Sequence, residues 1–137
     1  MLEIVTPDRE FFSDEVDMVI VKGVEGELAV LKNRAPLITP LSIGKVRIKK
    51  DGNTRVAAIV GGYISVQKDK TTIVTDSAEW PEELDVERAQ RAKQRAEEPL
   101  AKRPEGLDIV RAENALKRAL NRLEVANLKK FSDENLD

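Results

Sequence analysis

At Trp80-Pro81 the hydrophobic period of this 137-residue chain changes, and that change limits the folds open to it. Ahead of it the period is two. Val46 and Ile48 alternate with Arg47 and Lys49, as in a strand with one buried face. Lys50-Asp51-Gly52-Asn53 follows, then a second apolar run from Arg55 to Val60. Asp-Gly between two such runs predicts a hairpin. Gln67-Lys68-Asp69-Lys70 makes another polar turn, between Tyr63-Ile64-Ser65-Val66 and Thr72-Ile73-Val74. Asp17 to Val21 and Glu27 to Leu31 read as further strands. Short strands joined by turns predict an antiparallel β-sandwich or flattened barrel over residues 1–80.

Beyond Pro81 the period is helical. Asp85 can cap a helix from Val86 to about Glu98, with Ala89, Ala92 and Ala96 on one face. Pro99 and Pro104-Glu105-Gly106 interrupt the pattern. Asp108 caps a second helix running to about Lys130, where Lys129-Lys130 suits the negative end of the helix dipole. Its apolar stripe is Ile109, Ala112, Ala115/Leu116, Ala119/Leu120, Leu123 and Ala126. A short link between two such helices predicts an antiparallel hairpin over residues 81–137, and an α+β class for the whole. The acidic tail from Ser132 to Asp137 is expected to fray, and Trp80 to pack where the halves meet.

Composition removes several function classes. The chain has neither cysteine nor histidine. Disulfides, thiol nucleophiles, Cys/His zinc sites and histidine-based triads are therefore excluded. No metal site is expected. Charged residues make up 35% of the chain, yet the net charge is only −2, and both halves are nearly balanced. Nucleic-acid binding needs a broad basic face, and none is implied. Met1-Leu2-Glu3-Ile4-Val5-Thr6-Pro7-Asp8 lacks the basic and apolar regions of a signal peptide. No run approaches the ~20 apolar residues of a membrane helix, so any membrane association would come through partners.

One short pattern is written twice. Leu84-Asp85-Val86-Glu87-Arg88-Ala89 and Leu107-Asp108-Ile109-Val110-Arg111-Ala112 both read L-D-x-x-R-A, 23 residues apart. Arg95 stands seven residues after Arg88, and Arg118 seven after Arg111, with Arg122 a turn further. Residues seven apart share a helix face. Arginine suits phosphate because its planar fork gives charge-assisted, often bidentate bonds. The ordinary explanation of such arginines is a solvated face with ion pairs, and of each Asp a helix cap. Gly61-Gly62 has neither the helix start nor the Lys-Ser/Thr of a phosphate loop, and reads as a strand bulge or bend. Glu25-Gly26-Glu27 reads as a turn with solvated acids rather than paired catalytic carboxylates.

The first helix offers almost only alanines to a partner. At ~25 cal/mol per Å² such a seam supplies only a few kcal/mol, comparable to the cost of ordering the helices. The hairpin is therefore expected to be detachable, with Ile109, Leu116, Leu120 and Leu123 available to another partner when it opens.

Together these residues resemble the epsilon-subunit family of bacterial F-type ATP synthases. The sandwich half carries the resemblance in Ile4-Val5-Thr6-Pro7, Gly26-Glu27-Leu28-Ala29-Val30-Leu31, Ala35-Pro36-Leu37 and Gly61-Gly62-Tyr63-Ile64-Ser65-Val66. The helical half carries it in Asp85-Val86-Glu87-Arg88-Ala89 and in the run from Arg111 to Leu123. The resemblance implies a sandwich that docks on the gamma subunit and the membrane c ring as part of the rotor. It implies a helical pair that extends into the alpha and beta subunits of the catalytic head to block ATP hydrolysis. In some members the folded pair binds ATP. Carried over, that site is Leu84, Asp85, Arg88 and Ala89, with Glu79, Arg95, Arg118 and Arg122 in support. Glu27 matches a family acid facing the c ring. Lys32-Asn33-Arg34 stands where many members have Pro-Gly-His, and Pro99 and Lys102-Arg103-Pro104-Glu105-Gly106 differ from the usual link.

These implications describe a non-catalytic subunit at the cytoplasmic face of the bacterial membrane. ATP is its regulatory ligand, with or without magnesium, and no catalytic cofactor is implied. The alternative is a purely structural coupling and inhibitory subunit whose arginines only pair with acidic partner residues. An enzyme acting alone is disfavoured by the missing histidine and cysteine and by the lack of a nucleotide-hydrolysis motif.

Overall fold

A computed structural model describes residues 1–32 and 35–135, with side chains described through Leu128 apart from those of Asn33 and Arg34. Asn33 and Arg34 of the departing loop and the Lys129-Lys130 side chains thus lie outside the described residues. The chain divides into two compact units, Met1–Trp80 and Pro81–Asp137.

Among the described residues ten strands build the first unit: β1 (Leu2–Val5), β2 (Glu10–Asp14), β3 (Met18–Gly23), β4 (Gly26–Leu31), β5 (Leu37–Pro40), β6 (Gly44–Lys50), β7 (Asn53–Ile59), β8 (Tyr63–Val66), β9 (Thr71–Val74) and β10 (Ala78–Glu79). They form two five-stranded sheets, ordered β2-β1-β9-β8-β5 and β10-β7-β6-β3-β4. Alternation does the sorting. On β6 Val46 and Ile48 are buried while Arg47 and Lys49 stand at the surface side of the pleat. Leu2, Ile4, Ile64 and Ile73 of one sheet and Val19, Val21, Val46 and Ile59 of the other are almost wholly removed from water. Each such side chain contributes roughly 1.5–3 kcal/mol by burial.

The Asp51-Gly52 hairpin closes as its sequence requires. Lys50 pairs with Asn53, and the two turn residues have φ of 51° and 80°, the double left-handed geometry that matches strand twist. The β8–β9 turn is held by a bond from the Gln67 N–H to the Lys70 carbonyl at 2.9 Å. Gly61-Gly62 forms the bend between β7 and β8. A Cβ on Gly62 would lie 1.9 Å from the Val74 carbonyl oxygen, so only glycine fits there.

The sheets are not antiparallel throughout. β1 runs parallel to β9, with Leu2 opposite Thr71 and Val5 opposite Val74, while the remaining strand pairs are antiparallel. Local patterning fixes which face a strand buries but not which distant strand it joins. Trp80 closes the unit. Its ring stacks on Phe11 with centroids 4.3 Å apart and meets Phe12 edge-on. Both of these ring contacts are made to β2 of the sandwich.

The second unit starts with a 3-10 turn, Pro81–Glu83, followed by α1 (Val86–Lys102) and α2 (Ile109–Asn135), which pack together. Asp85 and Asp108 act as N-caps: their carboxylates accept the Arg88 and Arg111 N–H at 3.0 and 3.1 Å. α1 does not stop at Pro99. In the last turn proline forfeits one hydrogen bond and crowds the Arg95 carbonyl, but the Pro99 carbonyl still accepts from the Arg103 N–H at 2.7 Å, so one more turn forms. Arg103 ends the helix in the left-handed conformation. α2 likewise passes its expected end near Lys130 and takes in much of the acidic tail.

The expected apolar stripe of α2 is covered in part: Ala119 is buried and Ala112, Ala115, Leu116, Leu123 and Ala126 are half-buried, whereas Ile109 and Leu120 are 39% and 43% exposed. Asn121 and Val125, off that stripe, are buried as well. The buried residues of α1 are Ala89 and Ala96, whose methyl groups are too short to cover a leucine edge.

Candidate functional site

Arginines on α1 define the site. Arg88 and Arg95 lie two turns apart and line one open depression of about 530 Å³, together with Arg91, Gln94 and Glu98. This face is exposed and flanks the buried stripe, since Ala89 follows Arg88 and Ala96 follows Arg95 about 100° round the helix. Among the described residues none of Arg88, Arg91 and Arg95 makes an ion pair. Of the carboxylates on α1, Glu97 is paired with Lys93 at 3.5 Å and Glu98 with Lys102 at 3.0 Å, while Glu87 stands one turn before Arg91. Arg88 sits in the first helical turn, where the dipole's positive end disfavours a cation. An anion resting on this wall would meet unneutralised guanidinium groups in an exposed, hydrated setting.

The other anticipated residues fall as follows. Asp85 is bound into the site through its cap to the Arg88 backbone. Leu84 is half-buried, and its N–H donates to the Pro81 carbonyl at 3.2 Å. Ala89 is buried in the helical unit. Arg118 and Arg122 stand one turn apart on α2, half-buried around Ala119. Glu79 belongs to the sandwich, opposite Ala58 in the β10–β7 pair. Glu27 lies on β4, just after the β3–β4 turn, and is ion-paired with Arg47 of β6. Arg91 and Gln94 were not anticipated. The sequence signal for Arg91 is its spacing of three from Arg88 and four to Arg95, which the seven-residue interval alone does not include.

Among the described residues no cluster of carboxylates suits a metal ion, and no helix is long and apolar enough to cross a membrane.

A β-sandwich followed by two helices, with arginines along the first, defines a class of protein that comparison makes specific. The beta-sandwich domain of the ATP synthase delta/epsilon chain matches residues 1–81, and the long alpha-helix domain of the same chain matches residues 82–127. The ATP synthase epsilon chain of Alkaliphilus metalliredigens is 53% identical over 128 residues, 93% of this chain and 96% of its own. That of Caldicellulosiruptor bescii is 46% identical over 129 residues, 94% of each. A solved structure of the Euglena gracilis mitochondrial ATP synthase, containing OSCP, F1 and c-ring, holds a similar chain. The TM-score is 0.76 at 25% identity, over 91% of this chain and 79% of that one. The chain belongs to the ATP synthase delta/epsilon family, among the bacterial epsilon chains, as a subunit of F-type ATP synthase.

Proposed function

We propose that the chain is a non-catalytic central-stalk subunit whose helical unit senses ATP. In this reading residues 1–80 dock on the gamma subunit and the c ring at the cytoplasmic face of the membrane, with Glu27 toward the c ring. Residues 81–137 are the regulatory unit. Folded, they bind ATP through Leu84, Asp85, Arg88, Ala89 and Arg95, with Arg118 and Arg122 from α2 and Glu79 in support. Opened, α2 reaches the alpha and beta subunits and inhibits hydrolysis.

The observation that carries this reading is the row of unpaired arginines on α1. Their placement opposes helix stability unless an anion is added. The energetics suit a switch. The buried residues of α1 are alanines, so the helices hold each other weakly. ATP at ten times its dissociation constant would stabilise the folded form by ~1.4 kcal/mol, about tenfold in population if the open form does not bind. The exposed Ile109 and Leu120 give α2 an apolar edge for a second partner.

Calorimetry of the purified chain tests the site. Arg118→Ala and Arg122→Ala should each abolish measurable ATP binding while the sandwich keeps its thermal transition. Unchanged affinity in both would refute the assignment and leave a structural coupling subunit.

A further inference from the structure

The depression on α1 contains an arginine that the L-D-x-x-R-A pattern lacks. Arg91 follows Arg88 by three residues and precedes Arg95 by four. At about 1.5 Å rise and 3.6 residues per turn, this sets one guanidinium on each successive turn along one wall. All three line the same depression, and of the carboxylates beyond them Glu97 and Glu98 are held by Lys93 and Lys102, leaving Glu87 as the acid one turn before Arg91. Like charges one turn apart destabilise a helix, and Arg88 also meets the positive end of the dipole. An anion spread along the row would relieve each of these repulsions.

We infer that Arg91 is a third phosphate-binding residue, making the α1 wall a three-point cradle for an extended polyphosphate. This inference rests on the nucleotide reading above. Its chemistry follows from the row. A guanidinium fork offers paired N–H donors to non-bridging phosphate oxygens. A monophosphate can satisfy one or two of the three arginines, while a triphosphate can engage them all. Gln94, a neutral donor, borders the row, and Glu98 lies beyond Arg95, where its carboxylate repels further phosphate. Arg91 should thus weigh more in the affinity the longer the phosphate chain is.

The test is calorimetric titration of the full chain with ATP, ADP, AMP and inorganic tripolyphosphate, comparing the unaltered protein with Arg91→Ala, Arg91→Lys and Arg88→Ala. Arg91→Ala should weaken ATP and tripolyphosphate by about tenfold and AMP by less than about twofold, with partial recovery in Arg91→Lys. Without ligand, Arg91→Ala should melt no lower than the unaltered protein, because a like-charge repulsion has been removed. Unchanged ATP affinity in Arg91→Ala beside a loss in Arg88→Ala would overturn the inference and keep the nucleotide reading. Equal losses for ATP and AMP would also overturn it. Failure of the unaltered chain to bind ATP would overturn both.

Discussion

The Arg55 guanidinium lies 3.7 Å from the centre of the Trp80 ring, itself stacked on Phe11. The only tryptophan of the chain thus makes ring contacts with β7 and β2 of the sandwich. Arg55→Ala should cost the sandwich about 0.5–1 kcal/mol and shift Trp80 emission in the folded state. Chemical denaturation followed at Trp80 should trace the sandwich transition, and circular dichroism at helical wavelengths should report the hairpin separately. Coincidence of Trp80 emission with hairpin melting, ahead of the sandwich, would contradict this placement.

Gly62 and Gly52 make a controlled pair. Both have positive φ, 96° and 80°, but a Cβ on Gly62 meets the Val74 carbonyl while one on Gly52 meets nothing within 4 Å. Gly52→Ala should cost about 1 kcal/mol, lowering the sandwich melting temperature by roughly 4–8 °C. Gly62→Ala adds a clash with backbone and should cost roughly 2–5 kcal/mol. Thermal melts of the two variants, read at Trp80, measure the difference.

Asp14 and Lys50 form a 2.6 Å ion pair at the surface. The lysine's hydrogen bond holds the Asp14 carboxyl below its ordinary range, and the same bond raises the Lys50 ammonium. The signs set a window. Asp14, lowered on folding, contributes above its unfolded pKa of about 3.9 and loses that contribution as pH falls through its lower folded value. Lys50, raised on folding, contributes below about 10.4 and loses it as pH rises through its higher folded value. Lys50→Ala should bring the Asp14 carboxyl pKa, followed by NMR, back up. High salt should weaken the pair because both groups are exposed.

Pro99 deprives α1 of one hydrogen bond near its end. Pro99→Ala restores the N–H that would reach the Arg95 carbonyl, and should stabilise α1 by roughly 1–3 kcal/mol. In the proposed mechanism this favours the folded hairpin, so apparent ATP affinity should not fall. Helical ellipticity against temperature, with and without ATP, reads both effects.

The sandwich was legible because alternation and turn chemistry act locally. Val46 and Ile48, Asp51-Gly52 and the Gln67–Lys70 turn each carry their own instruction. The partnership of β1 with β9 was not legible, since Leu2 and Thr71 are joined by nothing between them in sequence. At the site, the capping roles of Asp85 and Asp108 could be read directly. The burial of Asn121 and Val125 could not, because the partners around a helix, rather than its own period, choose which flank is covered. Pro99 shows the limit of a local signal: a breaker one turn from a helix end removes too little to end it.

The parallel β1–β9 pair sets an order in time. β1 lies between β2 and β9 in its sheet, yet the last of these appears only at residues 71–74. At ~5–20 residues per second, Leu2 leaves the ribosome's active centre several seconds before Thr71. Through that interval the amino-terminal hairpin waits with an open edge, and the first sheet cannot be completed. Such remote pairings slow folding. A nascent chain halted before residue 71 would therefore expose apolar β1 to any chaperone or neighbouring chain, whereas one halted after residue 80 would already contain a closable sandwich.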